Sequence, residues 1–227
     1  MFGLNEATAD TSASSTPARC TLCGSERLTG VRLLCEACNC GDRQRAVNVV
    51  YEALPGEVLA TSRCLIFSAE RWIEDHRFNS VERSIYGGDN HLDLMAIDRP
   101  NGSYDWIVCN HVLEHVPDDR AAVKQLLRIL SAKGVVQITV PSPMRQPFTL
   151  DWHYPDKKLH GHYRTYGSDF LGNMRGILEE AAAIAVIGQD PLTDYKDFIY
   201  LLGKRLAHIE RIGQELIRNG RIALRAN

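Results

Sequence analysis

The chain carries seven cysteines among its 227 residues, and four of them are spaced in pairs. Cys20-x2-Cys23 is followed, after eleven residues, by Cys35-x2-Cys38. Two such knuckles can surround one cation with four thiolates, the spacing of a zinc ribbon, and Gly24 helps the first knuckle to turn. Four thiolates leave no open coordination position, so the expected zinc is structural. Cys40 is a spare thiolate able to stand in for Cys38. A second group of reactive residues begins at Asn110 and His111, where imidazole can serve as a general base near neutrality. A third lies between Asp151 and Gly167, a stretch dense in histidine, aromatic and arginine residues. His162 is its candidate for catalysis. His153, His160 and His162 also offer a metal set of unusual spacing, which ranks below binding of a substrate.

These residues need a scaffold that brings them together. Trp106 to Cys109 is an apolar run too short for a helix and suits a strand covered on both faces. Asn110 and His111 then stand at its carboxyl end, where open α/β sheets bind ligands. Pro117 suits the first turn of a helix over residues 117–130, with Val123, Leu126, Leu127 and Leu130 on one face. Cys64 to Phe67, Ser84 to Tyr86, His91 to Met95 and Val135 to Val140 read as further strands, and a helix begins at Ala69. Such alternation predicts a mostly parallel sheet. Ile184–Ile187 and Phe198–Leu202 are joined by a short loop and predict one antiparallel edge strand. A long loop runs from Pro141 to Tyr166, and Ser168 is placed to cap the helix after it. Asp42 is placed to cap a helix bearing Val47, Val50, Tyr51 and Leu54.

The segment from Tyr104 to Asp119, with Tyr104-Asp105, Leu113-Glu114-His115-Val116 and Asp118, resembles the fourth strand and following loop of class I S-adenosylmethionine-dependent methyltransferases. His162, Arg164, Tyr166 and Gly167 match a further stretch of the small-molecule branch. The resemblance implies a Rossmann-like α/β fold and a set of cofactor-binding positions. Phe67, Ser68, Ala69 and Glu70 stand where most of the family has a glycine-rich loop, a departure that small Ser68 and Ala69 can accommodate. Glu70 either contacts the cofactor's ammonium group or stabilises a helix N-terminus by its charge. Asp89 matches the acid that binds the ribose hydroxyls, although a plain turn aspartate accounts for Gly87-Gly88-Asp89-Asn90 nearly as well. Asp93 and Leu94 match the adenine-binding pair. Asn110 and His111 are expected beside the methionine part of the cofactor. His115 reads as structural and Glu114 as an organiser of its loop. The N-terminal block resembles zinc-ribbon heads joined to methyltransferase domains, with Arg43 and Arg45 on the helix that follows.

The chain therefore divides into a flexible tail over 1–17, a zinc ribbon over 18–41, a linking helix over 42–60, a methyltransferase domain over 61–203 and a C-terminal helix over 204–227. A net charge of 26 − 28 = −2 gives no global field for holding a nucleic-acid backbone. The expected acceptor is a small or saccharide-like molecule, methylated at oxygen. An RNA methyltransferase gripping its substrate through the ribbon is the first alternative, and a non-catalytic binding protein on the same fold is the second. Met1 to Pro17 show no secretory pattern, and no stretch is long and apolar enough to cross a bilayer. A cytoplasmic, reducing compartment is expected, where cysteines bind metal rather than pair. Leu206, Ile209, Gly213, Leu216 and Ile217 form a stripe that packs on its own domain, with a homodimer seam as the lesser reading.

Overall fold

A computed structural model describes residues 18–225, apart from Asp89, Ser142, Glu179, Glu180 and Arg221. The tail over 1–17 and the ribose-binding expectation for Asp89 lie outside the described residues.

The N-terminal block is a small two-stranded ribbon, β1 (Leu28–Thr29) against β2 (Leu34–Cys35). Helix α1 (Asp42–Ala53) follows, then the short α2 (Gly56–Ala60). Asp42 does not cap α1 as expected. Gly41 holds that position, and its N–H donates to the Gln44 side chain at 3.0 Å. The Asp42 carboxylate is taken instead by Arg32, whose Nε lies 2.7 Å away.

The main sheet comprises β3 (Arg63–Phe67), β4 (Ser80–Ser84), β5 (Tyr104–Asn110), β6 (Leu130–Thr139), β9 (Ala182–Gln189), β10 (Lys196–Gly203) and β11 (Ile222–Arg225). Their order is β11-β9-β10-β6-β5-β3-β4. Strands β4, β3, β5 and β6 are parallel, whereas β10 runs antiparallel to both neighbours and β11 runs antiparallel to β9. The antiparallel strand thus lies inside the sheet, not at its edge, and a further antiparallel strand follows the C-terminal helix.

Strand side chains alternate between two apolar layers, as the period of two requires. Leu65, Phe67, Ile107, Cys109, Val136 and Ile138 pack on one face with α3 (Asp119–Ile129). Cys64, Ile66, Trp106, Val108 and Val135 pack on the other with α1 and α6 (Leu206–Arg218). Ile209, Ile212 and Leu216 of α6 are buried in that second layer, whereas Leu206 and Ile217 of the expected stripe are exposed. Asp118 caps α3, accepting the Ala121 N–H at 2.8 Å, so Pro117 stands just before the helix and not in its first turn.

Several expected elements take other forms. No helix begins at Ala69. The segment is a turn ending in a 3-10 turn at Asp75–Arg77, because Arg83 draws the carbonyls of Glu70 and Ile73 to itself at 3.2 and 2.8 Å. His91 to Met95 is no strand, since Asp93 folds the chain back by accepting the Met95 N–H at 2.9 Å. The second strand also ends at Ser84, leaving Ile85 and Tyr86 exposed beyond it. The loop after β6 contains a hairpin, β7 (Leu150–Asp156) against β8 (His162–Thr165). Two short helices, α4 (Phe170–Asn173) and α5 (Arg175–Leu178), then replace the single one, and Asp169 rather than Ser168 precedes them. No helix among the described residues is long and apolar enough to cross a membrane.

Candidate functional site

Parallel pairing aligns the carboxyl ends of the strands. Phe67 lies beside Ser84 and Cys109, and Asn110 lies beside Thr139. Above this edge opens a cleft of about 610 Å³. Its floor is His111, Glu114 and His115 from the segment after β5, and one wall is Pro141, Arg145 and His162. The opposite wall comes from the N-terminal block, with Arg32, Asp42 and Arg43, and from Tyr195 in the loop between β9 and β10. A second cavity, of about 460 Å³, lies at the amino ends of β5 and β6 beside Trp106 and His208. Open α/β sheets bind ligands at the carboxyl edge, where the first cleft lies.

Two residues at this edge hold left-handed backbone without being glycine. His111 has φ +52° and Ser68 has φ +74°. Such positions cost free energy and cluster at functional sites. His111 is held there by its N–H, which donates to the Thr139 carbonyl at 2.9 Å. Its Nδ1 lies 3.4 Å from Oε1 of Glu114, a carboxylate that is only 1% exposed. His111 Nε2 and Glu114 Oε2 are buried without a hydrogen-bond partner. A buried polar atom without a partner is costly and marks a place where a ligand completes the bonding.

The segment after β5 is shaped from a distance. Arg164 of β8 is buried, and its guanidinium donates to the carbonyls of Leu113, Val116 and Pro117 at 3.1, 2.7 and 2.8 Å. Asp151 accepts its Nε at 2.7 Å. This clamp brackets Glu114 and His115 and sets them against His162, two residues before Arg164. The rings of His115 and His162 meet edge to face with centroids 4.7 Å apart. Burial, aided by nearby His115, His160 and His111, lowers the pKa of His162 against the pull of Glu114. Tyr166 donates to Asp119 at 2.8 Å. A Cβ at Gly167 would come within 2.4 Å of the Phe148 backbone, so only glycine fits there. His153 stands apart from the cluster, exposed and 3.2 Å from Asp151. The expected set of His153, His160 and His162 is therefore not assembled; Glu114, His115 and His162 come together instead.

The other candidate residues spread along the same edge. Asn110 is buried, and its Oδ1 accepts from Gln137 at 3.1 Å and Thr139 at 3.2 Å, which fixes the strand ends to each other. Phe67 belongs to the core, Ser68 is partly exposed and Ala69 is exposed. Glu70 is buried and its carboxylate accepts from the Trp72 indole. Asp93 is exposed, and Leu94 beside it is buried. The Ser84 hydroxyl accepts the Leu92 N–H at 2.9 Å and ties this turn to the end of β4.

In the N-terminal block the sulfur atoms of Cys20, Cys23, Cys35 and Cys38 all lie within 4.8 Å of one another. Cys40 is outside the group, with its thiol donating to the Cys38 carbonyl at 3.4 Å. Burial pushes the Cys40 thiol up to about 11, a further reason for it to stay protonated. Burial opposes the Cys35 thiolate too, but backbone N–H groups of Cys38 and Ala37 outweigh it and bring this thiol down to about 6. Cys38 is pushed the other way by burial and by its neighbouring thiols. Four thiolates this close require a cation to be ionised together, so the donor set is compatible with zinc. Arg45 does not face outward. It is fully buried against Asp190, which removes one of the two arginines on which an RNA grip would rest.

Residues 29–175 match the family pattern described as a methyltransferase domain. The chain belongs to this family. It is an S-adenosylmethionine-dependent methyltransferase with a Rossmann-like class I fold. Among solved structures it is similar to an S-adenosylmethionine-dependent methyltransferase from Mesorhizobium loti, with 16% identity, 71% of this chain and 98% of that one covered, and a TM-score of 0.50. It is also similar to 1,6-didemethyltoxoflavin-N1-methyltransferase from Burkholderia thailandensis, at 11% identity, 72% and 76% coverage and a TM-score of 0.42. Likeness at these identities is one of fold. No curated protein matches the chain. The methyltransferase's own residues fit a sulfonium nucleoside at the carboxyl edge. Ser68 supplies a tight left-handed turn after β3, and His111 lines the cleft with its Nε2 buried and unpartnered.

Proposed function

We propose that this methyltransferase transfers the methyl group to a hydroxyl of a small or saccharide-like acceptor held in the cleft above His111. The observation that carries the reading is the pair His111 and Glu114. An imidazole backed by a buried carboxylate, with its other nitrogen left for a ligand, is the arrangement of a general base. In this reading His111 would take the acceptor's hydroxyl proton at Nε2, and Glu114 would hold the imidazole and offset the charge it gains. Binding of S-adenosylmethionine would supply the electrophilic methyl group. The guanidinium groups of Arg43 and Arg145 suit an acceptor that also carries a carboxylate or phosphate.

Calorimetry with S-adenosylmethionine and its demethylated product tests the cofactor step, with binding expected and silence at millimolar concentration counting against it. A screen of hydroxylated acceptors with wild type and His111→Ala tests the rest. Turnover should fall roughly 10²- to 10⁴-fold in the variant with cofactor affinity kept. Methylation only of amine acceptors, or equal turnover by both proteins, would refute the assignment.

The same reading gives the ribbon a structural zinc held by Cys20, Cys23, Cys35 and Cys38. Cys38→Ser should lose the metal and Cys40→Ser should keep it, as metal analysis of the purified proteins would show. The opposite pattern would make Cys40 the ligand.

A further inference from the structure

His115 and His162 have no role in the account above, and Glu114 serves there only through the oxygen that faces His111. The side-chain donor atoms of Glu114, His115 and His162 lie within 4.8 Å of one another. We propose that these three residues form a second metal site, for a divalent first-row cation, separate from the four cysteines.

Three observations support it. Glu114 is 1% exposed, and its Oε2 has no partner. A carboxylate in that position needs a cation or a donor to offset its desolvation. His115 and His162 are brought to it by a dedicated device, the Arg164 clamp on the carbonyls of Leu113, Val116 and Pro117. His111 lies behind the carboxylate, 3.4 Å from Oε1, in the manner of the outer groups that orient metal ligands.

The donor set defines the cation. Two imidazoles and one carboxylate suit zinc, iron, cobalt or manganese in the divalent state and leave coordination positions open, unlike a cage of four thiolates. An open position in an acceptor cleft can hold a hydroxyl group and lower its pKa. That this hydroxyl is the methyl acceptor rests on the proposed function; the metal site itself does not.

The test uses untagged protein already carrying one zinc per chain, titrated with Co2+ and followed by visible absorption. A site of histidine and carboxylate gives weak ligand-field bands, whereas cobalt among cysteines adds intense thiolate charge-transfer bands. The expected result is ligand-field absorption saturating at one Co2+ per chain without thiolate bands. His115→Ala, at an exposed position, and His162→Gln should each weaken binding roughly tenfold or more. Absence of the bands, bands of thiolate type alone, or equal affinity in wild type and both variants would overturn the proposal. Affinity for S-adenosylhomocysteine is measured on the same samples. Its loss would count against the reading of the cleft, and loss of the cobalt signal against the metal site.

Discussion

Arg45 and Asp190, 145 residues apart, meet as a two-pronged ion pair with Nε–Oδ1 at 2.8 Å and Nη2–Oδ2 at 2.9 Å, and neither side chain is exposed. The guanidinium also donates to the carbonyls of Leu33, Cys40 and Arg32 at 2.7, 3.3 and 3.1 Å. One side chain therefore joins the cysteine ribbon to the loop that carries Tyr195. Both line the cleft, so the pair fixes that part of its lining as well as the junction. Close packing supports it, since a Cβ at Gly188 would come within 2.5 Å of the Ala46 carbonyl in α1.

Arg45→Met leaves Asp190 buried without its partner. Removing one member of a buried pair costs about 3–5 kcal/mol. Urea denaturation of the metal-loaded protein should show this loss, while Arg43→Met, at the cleft rim, should change stability little. Equal stability of Arg45→Met and wild type would show that the junction is held by packing alone.

The same pair predicts a pH dependence. Burial works against the Asp190 carboxylate, but Arg45, the Thr193 hydroxyl and the Leu192 N–H outweigh it and hold its pKa below the ordinary value. A group with a lowered folded pKa contributes stability above its unfolded pKa, about 3.9 for aspartate, and loses it as pH falls through the folded value. Wild type should thus exceed Asp190→Asn in stability at neutral pH, and the gap should close as pH falls below about 4. Loss of metal from the ribbon at low pH affects both proteins and cancels in the difference. A gap that stays constant down to pH 3 would exclude the ion pair as its source.

Ser68 holds φ +74° directly after β3, and its N–H donates to the Ser84 carbonyl at 2.9 Å. Non-glycine residues pay roughly 1–2 kcal/mol in left-handed backbone. Ser68→Gly should relieve part of that cost and raise the melting temperature, with cofactor affinity retained if the backbone of the turn is what the nucleoside meets. A fall in cofactor affinity would assign the contact to the Ser68 hydroxyl instead.

The parts of this molecule that local pattern determines were legible in the sequence. The apolar runs at Cys64–Phe67, Trp106–Cys109 and Val135–Val140 became the central strands because a strand buried on both faces needs no polar alternation. The cysteine spacing became one cluster because each knuckle is a local turn. What was not legible depends on partners distant in the chain. Nothing near Ala69 announces that Arg83 will take the carbonyls of Glu70 and Ile73, so the apparent helix is a turn. Nothing near His115 announces its contact with His162, which lies 47 positions on and is brought over by a hairpin that the loop's mixed composition conceals. Arg43 and Arg45 looked alike, yet only a partner beyond β9 decides which one is buried. A buried arginine with a complementary aspartate in a Gln189-Asp190-Pro191 turn leaves no signal in either segment alone.

Arg164 offers the clearest separation of positioning from catalysis. It touches no acceptor space directly; its three carbonyl contacts hold the segment that bears Glu114 and His115, and Asp151 anchors it from behind. Lysine keeps the charge but lacks the planar fork, so Arg164→Lys can satisfy only part of this set. The expected outcome is a stability loss of about 1–3 kcal/mol from the carbonyls left unpaired. The turnover number should fall more than cofactor affinity does if the nucleoside is gripped, as the family resemblance implies, from the end of β3 and the Asp93 turn, away from the clamp. Turnover should also follow the same pH profile as wild type, since His111 is retained. If Arg164→Lys leaves the turnover number unchanged while folding weakens, the clamp serves the hairpin alone; if cofactor affinity falls in step with turnover, the segment after β5 forms part of the cofactor grip.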